Sequence, residues 1–388
     1  MNRIKSFKIE DYIKGDYQIW FIVILLNLFG FLVQFSAKGR ITMDSPIDPI
    51  ASLIKPIGIL IVSFWIMAFF SRQDYIKFSK FAEIGLYTSW LLIFIAYQFG
   101  TSKGGASRWI ELGPISFMPS DMAKLFLTAS LAKDFSKKQV TEYTPINLIV
   151  IILKVGITCF LIMLSNFSTS VLIFASSLVL MFFGRVPYKH IGSIIVVFAG
   201  MVAVVVMLGL GQRAQTIQSR IKNFMDRRET SKELNIDKKI GEDYQITRSL
   251  YAIATGGKSP KGPGKSQQKY FLSQAESDFI FAIIIEEYGI VAAFCIPLLF
   301  LLLLYRGAKS LQESMAPFGG LLAAGLTSSI VFQAFINMFV SVDAGPVTGQ
   351  PMPMISAGGT SLIFTAMSIG LILAVSEDKK KQKKTKVA

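Results

Sequence analysis

Asp278 stands where apolar sequence resumes after a long polar stretch, in the string Glu276-Ser277-Asp278-Phe279-Ile280-Phe281-Ala282. A carboxylate at the mouth of a membrane helix is costly unless it is paired or put to use. The use it suits is accepting a proton from a reacting group. A plainer role competes, because Ser277 or Asp278 can cap the helix by accepting a bond from a free backbone N–H. Local sequence leaves both open.

Further clusters offer the opposite charge. Arg108 beside Trp109, in a stretch that begins at Gly104-Gly105, reads as an anion site with an aromatic interfacial anchor. The string Met118-Pro119-Ser120-Asp121-Met122-Ala123-Lys124 follows. Asp121 and Lys124 share a helix face and can pair, either easing insertion or lining a path for a charged substrate. From Gly345 to Ser361 the chain carries Pro346, Pro351, Pro353, Gly358 and Gly359. Irregular backbone at membrane depth is tolerated only where it is buried or lines a cavity, and its free N–H groups can bind anions. Glu286 lies on the Asp278 helix, about 12 Å further along the axis and near the same face. Glu286 and Glu287 need partners inside a span, and their depth favours a structural role. One carboxylate, several cations and free backbone donors at one membrane face suit an anionic lipid head group and a base-assisted transfer. Ion transport fits less well, because no chain of ionisable residues crosses the bilayer.

Membrane helices must position these residues. The 388 residues are 52% hydrophobic and 17% charged, with a mean hydropathy of +0.52. Apolar runs of about 20 residues, enough to cross a hydrocarbon core, recur along the chain. The pattern predicts an all-α integral membrane protein of about ten transmembrane helices, near 17–37, 50–70, 82–100, 115–132, 146–164, 167–184, 190–210, 278–304, 318–340 and 355–375. The organisation is then a cytoplasmic tail (1–16), helices one to seven (17–210), one large extracytoplasmic loop (211–277), helices eight to ten (278–375) and a basic tail (376–388). Alternate short loops carry Arg72, Lys77, Lys80, Lys133, Lys137, Lys138, Arg185, Lys189, Arg306 and Lys309, whereas the opposite ones hold only Lys38, Arg40, Lys103 and Arg108. That asymmetry places both termini in the cytoplasm. It also absorbs much of the net charge of +15, so no nucleic-acid partner is implied. The lysines of the carboxyl tail suit anionic lipid head groups.

Within the long loop, Arg213 to Asp243 reads as partly helical, with Ile217, Ile221, Phe224 and Met225 at helical spacing. Such a helix either lies on the membrane surface or is simply solvated. The stretch from Gly256 to Ser266 is too rich in glycine and proline for regular structure. Its Gly264-Lys265-Ser266 end mimics a P-loop, but the first glycine of that pattern falls on Ser259. Cys159 and Cys295 fall inside spans and imply no redox site. His190, the only histidine, excludes a histidine-based metal site and a Ser-His-Asp triad.

The ordered strings Ser107-Arg108-Trp109-Ile110, Pro119-Ser120-Asp121 with Lys124, Ser277 to Ala282 with Glu286-Glu287, and Pro346-Val347-Thr348-Gly349 through Ser356-Ala357-Gly358-Gly359-Thr360-Ser361 resemble the SEDS (shape, elongation, division, sporulation) family. The likeness covers nearly the whole chain. The glycine-rich stretch before the Asp motif is closer to the division type, FtsW, than to the elongation type, RodA. The resemblance implies a peptidoglycan glycosyltransferase that polymerises lipid II at the outer face of the cytoplasmic membrane, for the division septum. It implies a class B penicillin-binding protein as transpeptidase partner, among other divisome or elongasome membrane proteins. It maps an essential aspartate onto Asp278 and a lysine onto Lys124, with substrate contacts expected at Arg108, Ser120, Asp121, Gly358 and Gly359. The family's glutamine and glutamate flanking Pro-Ser are Met118 and Asp121 here. Its aspartate between spans five and six is Asn166, and its acid four residues before the catalytic aspartate is Gln274. Arg108, Lys124 or a divalent cation, magnesium or manganese, could stabilise the pyrophosphate leaving group. A lipid II flippase and a non-catalytic scaffold for a transpeptidase are the alternatives.

Overall fold

The computed structural model describes residues 14–44, 49–102, 107–112, 115–138, 145–209, 219–220, 222–225, 242–272, 275–356 and 359–387. Its helices are α1 (Tyr17–Asp44), α2 (Pro49–Ser71), α3 (Tyr75–Phe99), α4 (Pro119–Lys138), α5 (Pro145–Met163), α6 (Phe167–Phe183), α7 (Tyr188–Met207), α8 (Glu242–Lys258), α9 (Ile280–Glu313), α10 (Pro317–Ser341) and α11 (Thr360–Val387). Among the described residues seven helices are long and apolar enough to cross a membrane, and parts of α2 and α6 are shorter apolar helices. Each of the ten expected spans overlaps a helix.

Small residues explain how α10 comes to be the most enclosed of the long apolar helices. A Cβ on Gly325 would meet Thr128 of α4 at 2.7 Å, and one on Gly320 would meet the backbone of Leu311 at 2.9 Å. Gly307 of α9 does the same in reverse, with Thr327 of α10 at 2.1 Å from its missing Cβ. Such close approach is how helices gain contact where lipid offers no hydrophobic drive to pack. Lys154, buried in α5, is held by Asp134 at 2.7 Å and Ser130 Oγ at 3.0 Å.

At one end of the bundle the residues just before α1 meet α9 and α11. Asp16 pairs with Arg306, its N–H donates to Ser376 Oγ (2.9 Å), and the Gly15 N–H donates to Glu377 Oε2 (2.7 Å). From there α1 runs to the opposite end, where Ser36 Oγ donates to Glu287.

The boundaries depart from hydropathy at several places, among them α3, which starts at Tyr75 rather than near 82. The fourth span does not begin at 115, because β1 (Thr101–Ser102), β2 (Ser107–Leu112) and β3 (Ile115–Phe117) form an antiparallel sheet, with Ile110 opposite Phe117. Helix α9 starts at Ile280 and breaks at Gly289 (φ 72°, ψ −163°), so Glu286 and Glu287 lie beside the far end of α1 rather than deep in a span. Helix α11 starts at Thr360, five residues later than expected. Finally, α8 includes Gly256, Gly257 and Lys258, which were expected to be irregular. Gly256 is there for packing: its Cβ would lie 2.2 Å from the Glu286 Cα. Of the surface helix expected over 213–243, Ile217 and Ile221 lie outside the described residues, while Phe224 and Met225 sit on a helical turn.

The two glutamates organise the segment between α8 and α9. Glu286 accepts from Lys261 Nζ (2.5 Å), from Ser266 Oγ, and from the N–H groups of Gln267 (3.1 Å) and Gln268 (3.2 Å). Glu287 accepts from the Ser266 N–H at 3.2 Å as well as from Ser36. The segment that mimics a P-loop thus wraps successive N–H groups around an anion, and the anion is the protein's own side chain.

Candidate active site

Asp278 lies on a half-buried turn just before α9. Phe279, not Asp278, stands at the N-cap, and no side-chain cap bond forms there. The turn is fixed from below by α10, where Asn337, fully buried, donates its amide to the carbonyl oxygens of Ser277 (3.2 Å), Asp278 (3.1 Å) and Gln350 (2.8 Å). Ser356 Oγ adds a bond to the Ser277 carbonyl at 2.9 Å, which brings the broken Gly345–Ser361 region against the same turn. Ser277 Oγ donates to Asp278 Oδ1 at 2.9 Å. The other carboxylate oxygen faces Gly349 (φ 65°), where a Cβ would stand 3.5 Å away. Glycine at 349 suits its left-handed backbone, while a Cβ there would make only ordinary contact with the acid.

Strand β2 carries Arg108 to the same place. Burial pushes its guanidinium below the usual range, Arg220 adds to that, and the charges of Asp278 and Asp121 oppose it. An arginine so placed keeps its proton, because guanidinium is the most basic of the side chains. Asp121 and Lys124 form the expected pair near the start of α4, 2.7 Å apart, with Asp121 buried and Lys124 nearly so. Lys124 Nζ also donates to Gln333 Oε1 at 2.9 Å, and Gln333 Nε2 reaches the Pro351 carbonyl at 2.9 Å. Arg108 Nε, Ser120 Oγ and Asp121 Oδ2 are buried without a hydrogen-bond partner among the described residues. Buried polar groups are rarely left so, and three on β2 and the start of α4 mark a place shaped for a polar ligand.

Arg108, Ser120, Asp121, Lys124 and Asp278 thus converge, through α4, β2 and the turn before α9. Gly359 is exposed with open space at its Cβ, and Gly358 lies outside the described residues, as does Gln274. The region they belong to reaches the acid through Ser356 instead. Asn166 caps α6 by accepting from the Thr169 N–H at 3.2 Å, a task asparagine performs about as well as aspartate. No group of three His, Cys, Asp or Glu stands together as a metal-ligand set among the described residues. The cationic role is taken up below with Arg108 and Lys124.

Sequence reading missed Gln333, Asn337 and Gln350. Their signal was available: Gln333, Asn337 and Ser341 recur every fourth residue on an apolar helix, so they share one face, and polar side chains within a span rarely lack a purpose. Asn337→Ala is expected to strand three carbonyls, costing about 1–3 kcal/mol in thermal or denaturant unfolding. As a positioning residue it should lower the kcat of the site's reaction by about 10²-fold with a smaller change in KM, since misplacing a reacting group by about 1 Å costs that much. A loss of stability with kcat intact would leave it a purely structural amide.

Fold and site define a polytopic membrane protein with an acid and several cations gathered on broken helices at one end of the bundle. Residues 16–381 match the family described as cell cycle protein, that of FtsW, RodA and SpoVE. The chain belongs to this family. Stage V sporulation protein E of Bacillus subtilis (strain 168) is 30% identical over 370 residues, covering 93% of this chain and 96% of that protein. A probable peptidoglycan glycosyltransferase FtsW of Haemophilus influenzae is 32% identical over 308 residues, 76% and 73% of the two chains. A structure solved in a study of polymerisation and crosslinking by a peptidoglycan synthase complex superposes with a TM-score of 0.72 at 23% identity, over 94% of this chain and 98% of that one.

Proposed function

We propose that this protein is a peptidoglycan glycosyltransferase that polymerises lipid II, with Asp278 as general base. The observation that carries the reading is a single place where the Asp278 carboxylate acts on the Arg108 guanidinium amid buried, unpartnered polar atoms. A sugar hydroxyl is a poor nucleophile, and a positioned base is worth about 10²–10⁴-fold. In the proposed step the acceptor hydroxyl oxygen bonds to the donor's anomeric carbon as the bond from that carbon to the lipid pyrophosphate breaks. The hydroxyl proton passes to Asp278, and the pyrophosphate leaves as an anion stabilised by Arg108 and Lys124. One base and in-line attack give inversion, from an α-linked donor to a β-linked polymer.

The loops bearing the site lie outside the cytoplasmic membrane in this reading, and both termini lie inside. The match to a synthase complex favours a class B penicillin-binding protein as transpeptidase partner. The glycine-rich stretch before Asp278 favours the division septum. The test is polymerisation of purified lipid II by the purified protein, alone and with that partner, read as glycan chain length. Strands with the partner's own transferase activity absent are expected. Transbilayer movement of lipid II without any polymer would instead favour a flippase.

A further inference from the structure

Arg248 of α8 is a cation that the proposed chemistry does not use. Its guanidinium carbon lies 5.0 Å from the centre of the Tyr244 ring and 4.5 Å from that of Phe271. Its Nε is buried without a hydrogen-bond partner, and no ion pair involves it among the described residues. Aromatic faces answer positive charge but are poor hydrogen-bond acceptors, so the planar fork of N–H groups stays open to a pair of oxygens. A buried donor is rarely left in that state. Both rings are firmly placed. Tyr244 and Arg248 are four apart on α8 and share a face. The Phe271 N–H donates to the Gln268 carbonyl at 3.0 Å, and the Gln268 N–H is itself held by Glu286 at 3.2 Å. Arg248 is part-buried and Phe271 half exposed, so the fork is reached from outside beside that ring.

Hydrogen bonds tie this cation to the acid. Ser249, next in the chain, donates its hydroxyl to the Ser341 carbonyl of α10 at 2.7 Å. Ser341 Oγ donates to the Asn337 carbonyl at 3.0 Å, and Asn337 holds the Asp278 carbonyl at 3.1 Å. One turn of α10, about 6 Å, thus separates the anchor beside Arg248 from the anchor of Asp278. We infer that Arg248 binds the terminal carboxylate of the short peptide carried by the sugar of the lipid-linked substrate. The inference rests on the glycosyl-transfer reading above, which brings that sugar to Asp278 and its pyrophosphate to Arg108 and Lys124. A peptide of about five residues spans at most about 17 Å, enough to run from a sugar at the acid to a cation anchored one helical turn away. A stacked arginine suits a carboxylate, since its fork matches the two oxygens. The two anionic ends of one substrate then meet separate cations. Arg248 thus makes the enzyme read the peptide as well as the pyrophosphate, and favour substrates whose peptide still ends in a free acid.

The test compares lipid II with the same molecule whose terminal peptide carboxyl is a primary amide. Both are polymerised by the unmodified protein and by Arg248→Gln and Arg248→Lys, each checked for folding by thermal unfolding in detergent. Amidation should raise KM for the unmodified protein by about tenfold, the size of one charge-assisted hydrogen bond, with a smaller change in kcat. Arg248→Gln should raise KM for the free acid by about as much and leave KM for the amide where it was, since both changes remove one interaction. Arg248→Lys should fall between, keeping the charge without the fork. An amide used as well as the acid by the unmodified protein would overturn the inference, and that arm needs no variant to fold. Equal rises on both substrates in Arg248→Gln would also overturn it and make the cation a staple between α8 and the Phe271 turn. A loss confined to the response to the transpeptidase partner would overturn it in favour of docking. Absence of turnover of either substrate by the unmodified protein would sink the glycosyl-transfer reading, and the inference with it.

Discussion

Asp278→Asn should remain folded and membrane-borne yet lose about 10²-fold or more in glycan polymerisation. The structure makes this substitution a clean one. Asparagine keeps an oxygen for the Ser277 hydroxyl, and the hold from Asn337 falls on backbone carbonyl oxygens that the change does not touch. Helix α9 is capped at Phe279 without a side-chain bond, so a loss of rate cannot be put down to a lost cap. The measurement is the rate of polymer formation from lipid II, beside a thermal-unfolding midpoint in the same detergent. Polymerisation at the normal rate by the folded variant would remove Asp278 from the chemistry.

The cations come second in expected effect. Arg108→Ala should slow polymerisation by about 10²–10³-fold, the loss seen when one group aimed at developing negative charge is removed. Lys124 needs a different design, because its removal alone strands the buried Asp121 carboxylate. Breaking such a pair costs about 3–5 kcal/mol, and instability would mask the chemistry. Replacing both partners, Asp121→Asn with Lys124→Gln, removes the stranded charge along with the cation. That paired variant should unfold near the normal temperature and still polymerise at least about tenfold more slowly, while Lys124→Arg is milder. Normal rates in the neutral pair would make Asp121 and Lys124 an insertion device with no part in transfer.

Much of this site is legible in the chain because its charges are conspicuous. A carboxylate, an arginine and a lysine stand out in a sequence with 17% charged residues, and the cost of burying them points to use. The amides are harder to see. Gln333 and Asn337 cost less to bury than charges, so hydropathy passes over them, although they hold Lys124 and the Asp278 turn. The helices were legible by length, but several of their ends were not. Hydropathy counts apolar residues and is blind to a left-handed glycine, so the break at Gly289 and the late start of α11 at Thr360 escaped it. Strands β2 and β3 escaped for a related reason: Trp109, Ile110, Ile115 and Phe117 are as apolar as a span. Gly256 misled in the opposite direction. Glycine reads as a breaker, yet here its bare Cα lets α8 press against α9.

The clasp of the segment before α9 around Glu286 and Glu287 bears on what could ever regulate this protein. A cradle of backbone N–H groups followed by lysine and serine is the usual invitation to a free phosphate or nucleotide. Here the guest is tethered. A carboxylate held on the same chain competes at an effective concentration that a dissolved anion at millimolar levels does not match. The loop is therefore deaf to the phosphate content of its surroundings, and its fold is a property of the chain rather than of the medium. For a protein whose proposed substrate arrives with a pyrophosphate, that deafness has a use. The substrate meets one open anion site beside Asp278 and one already sealed, and it is not diverted to the wrong one.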